Sequence, residues 1–215
     1  MFKNPKLLIL IFFILLTGFV TLSVFIAYNP IVPFDVDVSL AVQKYQAKWL
    51  DYLMLAISLF GELPWSLVSV LVVAAIFYFN KFKRESYFIA LVLCSGLIIL
   101  GMKNIINRPR PTSFYVRLVE VNRFQSFPSG HVLSYVLFFG FLIILMRNLT
   151  TIATGWRRLI TIIAIFLIIM IAPSRIYLGA HWFTDTLGGF LLGLICLYPL
   201  AYFYLNRNRQ IDSSK

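Results

Sequence analysis

The chain has two histidines, and each lies in a short polar segment between long apolar runs. His181 precedes Asp185 by four residues, a spacing that puts two side chains on one face of a helix. The carboxylate could then accept a hydrogen bond from one imidazole nitrogen and leave a lone pair on the other, as a nucleophilic histidine requires. A buried histidine with a purely structural acidic partner is the alternative for this pair taken alone.

The other histidine ends the sequence Phe127-Pro128-Ser129-Gly130-His131, which stands immediately before an apolar run. This pattern predicts the start of a helix, where free backbone N–H groups can bind an anion. The glycine allows an oxygen to approach the backbone closely, and the serine hydroxyl can donate a further hydrogen bond. We therefore predict that Ser129 and Gly130 bind an anion that His131 faces. An ordinary helix cap with an interfacial histidine is the alternative.

Three cations accompany these segments. Lys103 and Arg110 follow an apolar run, and Arg175 lies shortly before His181. An uncompensated charge at a membrane boundary is costly, so we expect these side chains to share an anionic partner. For the cations after the apolar run, snorkelling to lipid headgroups is the alternative.

The amino-acid composition indicates whether the helices that position these residues lie in water or in a membrane. The chain is 60% hydrophobic and 17% aromatic, far above the usual globular balance. Its formal net charge of +11 comes from short clusters between apolar runs, which is typical of membrane topology rather than of a nucleic-acid-binding face. The sequence therefore predicts an integral membrane protein with a single domain over residues 1–215.

The apolar runs predict an all-α fold, a bundle of six transmembrane helices. The expected spans are Leu7–Tyr28, Pro64–Phe79, Tyr87–Ile106, His131–Met146, Leu159–Ser174 and His181–Leu205. The first run has 22 residues and no A-x-A cleavage site follows it, so we expect it to be retained as an anchor. The segment Val38–Phe60 mixes charged and apolar residues and is predicted to be an interfacial helix between the first two spans.

The distribution of cations predicts the orientation. With a cytoplasmic N-terminus, eleven Lys and Arg residues lie inside and eight outside. Six of the eight outside cations belong to, or adjoin, the segments predicted to form the site, so the remaining cations favour this orientation more strongly. We expect both termini in the cytoplasm and the connections Lys103–His131 and Ser174–His181 at the outer face.

Three segments together resemble the signatures of the type 2 phosphatidic acid phosphatase superfamily. They are Lys103-x6-Arg110-Pro111, Pro128-Ser129-Gly130-His131 and Ser174-Arg175-x5-His181-x3-Asp185, and they match at every signature position. The resemblance implies a lipid phosphatase with His181 as nucleophile, Asp185 as its orienting group and His131 as general acid. It also implies phosphate binding by Lys103, Arg110, Ser129, Gly130 and Arg175. Arg108 lies outside the signature positions and is a weaker candidate for a contact with the phosphate.

No metal or other cofactor is expected, because three protein cations could neutralise the phosphate. The other acids on the outer side are scattered without ligand spacing; they are Asp35, Asp37, Asp51, Glu62 and Glu120. Partners are therefore the membrane and a phospholipid or polyprenyl phosphate substrate, not nucleic acid.

The resemblance implies undecaprenyl pyrophosphate as the first substrate to consider, at the extracytoplasmic face. Phosphatidylglycerophosphate or phosphatidic acid, with broad specificity, is the alternative. A lipid phosphotransferase would use the same residues with an alcohol in place of water. A soluble vanadium haloperoxidase is disfavoured by the six spans, and a channel by their almost wholly apolar composition.

One further pattern concerns packing. Gly189 and Gly193 form a G-x-x-x-G pattern in the last span. It predicts close helix contact, either within the bundle, which we favour, or between two chains.

Overall fold

The computed structural model describes residues 5–121 and 124–212, and this part of the chain forms nine α-helices and no strand. The helices are α1 Pro5–Tyr28, α2 Pro33–Val42, α3 Lys48–Ser58, α4 Trp65–Phe79, α5 Lys83–Leu91, α6 Ser95–Ile106, α7 Gly130–Asn148, α8 Thr154–Tyr177 and α9 Phe183–Asp212. The predicted all-α fold is confirmed.

Five helical segments of the described chain are long and apolar enough to cross a membrane. They are α1, the continuous segment Lys83–Ile106 that contains α5 and α6, and the three helices α7, α8 and α9. A sixth span is possible if α3 and α4, which meet at an angle of 59°, cross together. The chain is therefore a multi-pass membrane protein, as its composition predicts.

The region before α4 differs in detail from the prediction. The expected single helix over Val38–Phe60 is two helices, α2 and α3, separated by a turn. The helix α4 has only 15 residues, fewer than the roughly 20 that cross a bilayer unaided. A break containing Gly61 and Pro64 separates it from α3, because proline cannot continue the hydrogen-bond ladder of a helix interior.

The helix α7 is the most deeply buried span, and α8 and α9 pack against it. Its contact with α9 depends on the two glycines of the G-x-x-x-G pattern. A Cβ atom on Gly189 would lie 2.5 Å from the carbonyl oxygen of Ser129, and one on Gly193 would lie 2.7 Å from Cβ of Val136. Both glycines therefore pack within the bundle, as favoured above. This contact brings the N-terminal ends of α7 and α9 together.

Candidate active site

The two connections that carry the predicted site meet at one end of the bundle. The backbone N–H of Ser129, just before α7, donates to the carbonyl oxygen of Asp185 in α9 at 3.0 Å. In the long connection between α6 and α7, the N–H groups of Val119 and Glu120 donate to the carbonyl oxygen of Leu178 at 3.0 and 3.1 Å. The two connections are thus bound to each other through their backbones.

His181 and Asp185 do contact each other, but not from one helix face as predicted. The helix α8 ends at Tyr177, Gly179 follows with φ +70°, and α9 begins only at Phe183. His181 therefore precedes the helix in which Asp185 occupies the first turn. Its Nδ1 lies 3.5 Å from Oδ2 of Asp185, and both side chains are buried.

A serine that the sequence does not single out lies between these two groups. The Ser126 hydroxyl donates a hydrogen bond to Oδ2 of Asp185 and lies 3.4 Å from Nδ1 of His181. The same carboxylate oxygen accepts the backbone N–H of Trp182 at 2.8 Å. Because Nδ1 faces this acceptor cluster, the arrangement favours the tautomer with a proton on Nδ1 and a lone pair on Nε2.

Arg108 is engaged in a buried network of hydrogen bonds and ion pairs. Its guanidinium is fully buried, donates to Oδ1 of Asp185 at 2.5 Å and to Oδ2 of Asp35 at 2.7 Å, and also bonds the Thr184 hydroxyl at 2.8 Å. Asp35 also accepts the backbone N–H of Thr184 at 2.9 Å. The suggested phosphate contact is wrong for this conformation, because all these donors are already engaged. Arg108 instead joins α2 to the first turn of α9.

Positive charge surrounds the other nitrogen of His181. Its Nε2 lies 3.5 Å from Nη1 of Arg110. Burial lowers the pKa of His181 well below its ordinary value, and the charges of Arg110, Arg175 and Lys103 act in the same direction. The imidazole is therefore neutral at physiological pH, which is the form that can attack an electrophile.

Two of the predicted phosphate ligands are held by carbonyl groups. Lys103 donates from Nζ to the carbonyl oxygen of Gln125 at 2.7 Å. Arg110 donates from Nη1 to the carbonyl oxygen of Ala180 at 2.5 Å, and from Nε to that of Phe124. Burial, and next the charge of Arg175, lower the pKa of Arg110 to about 10, so this guanidinium keeps its charge at neutral pH.

Arg175 is fully buried and forms a two-pronged ion pair with Glu120. Nη1 and Nη2 each lie 2.7 Å from a carboxylate oxygen, and Nη1 also donates to the Ser58 hydroxyl at 2.6 Å. Its Nε is buried without a hydrogen-bond partner among the described residues, and so is the Ser129 hydroxyl. Buried donors of this kind usually have a partner, so both are available to an acceptor.

His131, in the first turn of α7, contacts a carboxylate that belongs to one of the scattered acids named above. Its Nε2 lies 3.2 Å from Oε2 of Glu62, which belongs to the break between α3 and α4. Gly130, the first residue of α7, lies beside it. The structure therefore brings both histidines, all three predicted cations, Ser129 and Gly130 to one end of the bundle.

Comparison with known proteins identifies the family of this chain. The model of the PAP2 superfamily matches residues 85–209, more than half of the chain. A phosphatidylglycerophosphatase B of Bacillus subtilis is 28% identical over 86% of this chain and 90% of its own. An undecaprenyl-diphosphatase of Sulfolobus acidocaldarius is 27% identical, with 85% of each chain covered.

Solved structures show the same architecture. The crystal structure of a transmembrane PAP2-type phosphatidylglycerolphosphate phosphatase from B. subtilis covers 96% of this chain and 98% of its own, with a TM-score of 0.77 and 26% identity. Aquifex aeolicus LpxE, at 22% identity and a TM-score of 0.61, covers 80% of this chain and 97% of its own, and shares the fold. The prediction of a membrane phosphatase is thus confirmed at the level of the family: the chain belongs to the PAP2 superfamily.

Proposed function

We propose that the protein removes a terminal phosphate from a membrane lipid by way of a phosphohistidine on His181. The observation that carries this proposal is a pair of buried, unpartnered donors within the described residues, the Ser129 hydroxyl and Nε of Arg175. They belong to a site that also holds a neutral imidazole and two further cations. Such a site suits a phosphoryl group, whose oxygens accept several hydrogen bonds and carry negative charge.

The chemistry follows from the positions of the two histidines. In the first step Nε2 of His181 attacks phosphorus, and the bond from phosphorus to the leaving oxygen breaks while His131 gives that oxygen a proton. In the second step water attacks phosphorus while His131 accepts a proton from the water, the bond from phosphorus to Nε2 of His181 breaks, and inorganic phosphate leaves. Lys103, Arg110 and Arg175 stabilise the charge on the phosphoryl oxygens in both steps.

An apolar cavity beside the site supports a lipid substrate. It has a volume of about 220 Å³ and lies between α4, the 92–96 segment and α7, with Phe60, Leu63, Tyr135 and Phe138 among its walls. Tyr135 lies one turn beyond His131 on α7. A phosphate at the membrane boundary could therefore be bound while its hydrocarbon tail stays among the helices.

Undecaprenyl diphosphate is our first candidate substrate, and phosphatidylglycerophosphate is the second. Two relatives of nearly equal identity are named for hydrolysing these two lipids. We place the site at the extracytoplasmic face and both termini in the cytoplasm, on the distribution of Lys and Arg residues.

A substrate panel tests the proposal. Purified protein in detergent is given undecaprenyl diphosphate, phosphatidylglycerophosphate and phosphatidic acid, and released phosphate is measured against a His181→Ala control. Release from at least one lipid, absent in the control, is expected. Adding an alcohol acceptor and analysing the lipid products separates hydrolysis from phosphotransfer. Absence of phosphate release from all three lipids would overturn the proposal.

A further inference from the structure

We infer that Glu62 is a positioning residue that orients His131 and favours the proton that His131 gives to the leaving oxygen. The inference rests on the proposed function, in which His131 protonates the leaving oxygen. Glu62 lies outside the three signature segments and outside residues 85–209, which match the family model. Its Oε2 lies 3.2 Å from Nε2 of the imidazole without the alignment of a hydrogen bond, and this contact becomes an ion pair when His131 is protonated.

The backbone next to Glu62 passes close to the imidazole of His131. A Cβ atom on Gly61 would lie 2.8 Å from Cγ of His131, so only a glycine lets the chain pass this close to the ring. Gly61 ends the short 3₁₀ turn after α3, and α4 begins at Trp65. The break in the bent helix pair thus places a carboxylate beside the first turn of α7.

Charge explains why His131 needs this neighbour. The ionisable groups around it are Glu62 from the break, Glu120 from the long connection, Arg175 from α8 and His181 before α9. The guanidinium of Arg175 is a positive charge near His131, so a proton on the imidazole needs a negative charge close to it. Glu120 is engaged in the two-pronged ion pair with Arg175. Glu62 is therefore the carboxylate positioned to favour imidazolium.

The two histidine–carboxylate pairs differ in how the carboxylate is compensated. Asp185 shares its charge with the buried guanidinium of Arg108, so it can orient His181 without drawing a proton onto it. Glu62 has His131 as its ion-pair partner in the described chain. The same pairing of side chains therefore suits a neutral nucleophile in one case and favours a proton on the general acid in the other.

The test compares Glu62→Gln with Glu62→Asp. Asp37→Asn is the matched control, since it removes one negative charge from an exposed position on α2. kcat/KM is measured against pH with a lipid monophosphate, whose leaving group needs a proton, and with p-nitrophenyl phosphate, whose leaving group does not. For Glu62→Gln we expect a loss of about 10-fold on the lipid at neutral pH and little loss on the aryl phosphate. The alkaline limb of the lipid profile should move to lower pH by about one unit.

Each outcome has a consequence. Glu62→Asp keeps the charge one methylene further away, so it should show the same changes at smaller size, and Asp37→Asn should match the unmodified protein. Equal losses of Glu62→Gln on both substrates with an unmoved pH profile, or no loss in either Glu62 variant, would overturn the inference. A His131→Ala variant separates this failure from a failure of the proposed function. If that variant itself lacks a leaving-group dependence, the proposed mechanism is wrong; if it shows one and Glu62→Gln does not, only the role of Glu62 is wrong.

Discussion

Asp35 in α2 and Asp185 in α9 bind the same guanidinium, that of Arg108, and all three side chains are fully buried. Two carboxylates in an apolar region would be strongly unfavourable without this shared cation. The ion pair therefore joins the segment after the first span to the residue that orients His181.

Arg108→Ala should destabilise the protein by about 3–5 kcal/mol, because it leaves two buried carboxylates without a counter-charge. Arg117→Ala is a matched control. It breaks the ion pair with Asp51, in which the arginine side chain is 35% exposed, and should cost about 1 kcal/mol or less. Thermal unfolding of both variants in one detergent measures the difference, and equal losses would contradict the importance of the buried pair.

Substitutions of the two histidines should reduce activity in different ways. His181→Ala should abolish turnover of every substrate, because no nucleophile remains. His131→Ala should lose about 10² to 10⁴ in rate on a lipid monophosphate and much less on p-nitrophenyl phosphate, whose leaving group needs no proton. Asp185→Asn should lie between them, with His181 present but misoriented. Residual turnover in His181→Ala would require another nucleophile.

Hydrolysis should persist in excess EDTA, because His181 and not a metal-bound water is proposed to attack phosphorus. Vanadate should inhibit competitively with substrate, since it can adopt the five-coordinate geometry of the transition state. Both effects are measured as phosphate release by the purified protein. Activity that EDTA removes and magnesium restores would refute the proposed mechanism.

The orientation can be tested with two exposed threonines. Thr112 lies in the connection between α6 and α7, and Thr151 lies between α7 and α8, at the other end of the bundle. In a background without Cys94 and Cys196, an impermeant thiol reagent applied to intact cells should label Thr112→Cys and spare Thr151→Cys. Lysed cells provide the control in which both are labelled, and the reverse pattern in intact cells would place the site in the cytoplasm.

His181 should stay neutral as the pH falls below 6.5, because burial and neighbouring cations lower its pKa. The unfolded chain binds a proton at this position near pH 6.5 while the folded chain does not, so stability should decrease as the pH falls from about 6.5 towards the folded-state pKa. Spectra of the protein with ¹³C-labelled histidine should show a His181 resonance that is constant between pH 8 and 6. A His131→Asn variant assigns it, since the chain has two histidines. A midpoint near 6.5 would contradict the prediction.

The signature residues can be recognised from the sequence, because each signature combines residue types that seldom occur together for unrelated reasons. His131, His181 and the three cations all lie at one end of the bundle, and their roles there stay a prediction. The turn before α9 was harder to foresee. A four-residue spacing is compatible with a helix, but Gly179 adopts a positive φ and the helix begins after His181.

The residues that contact the signature residues could not be predicted, because tertiary packing determines which side chains meet. Asp35, Glu62 and Glu120 appear in the sequence as scattered acids, yet each forms an ion pair with a basic side chain of the site. Nothing in the spacing of these acids encodes those pairs. Ser126 likewise has no distinguishing local pattern, and it is found only because its hydroxyl bonds Asp185.

The break between α3 and α4 bears on how far this enzyme could be shortened and still work. A fragment cut to residues 85–209, the part that matches the family model, would retain every signature residue. It would nevertheless lack Glu62 beside His131, Ser58 beside Arg175 and Asp35 beside Arg108. On the proposed mechanism, α2, α3 and the break after α3 therefore support the catalytic residues, and transplanting the signature region into another membrane scaffold would require these three side chains to be supplied by the host.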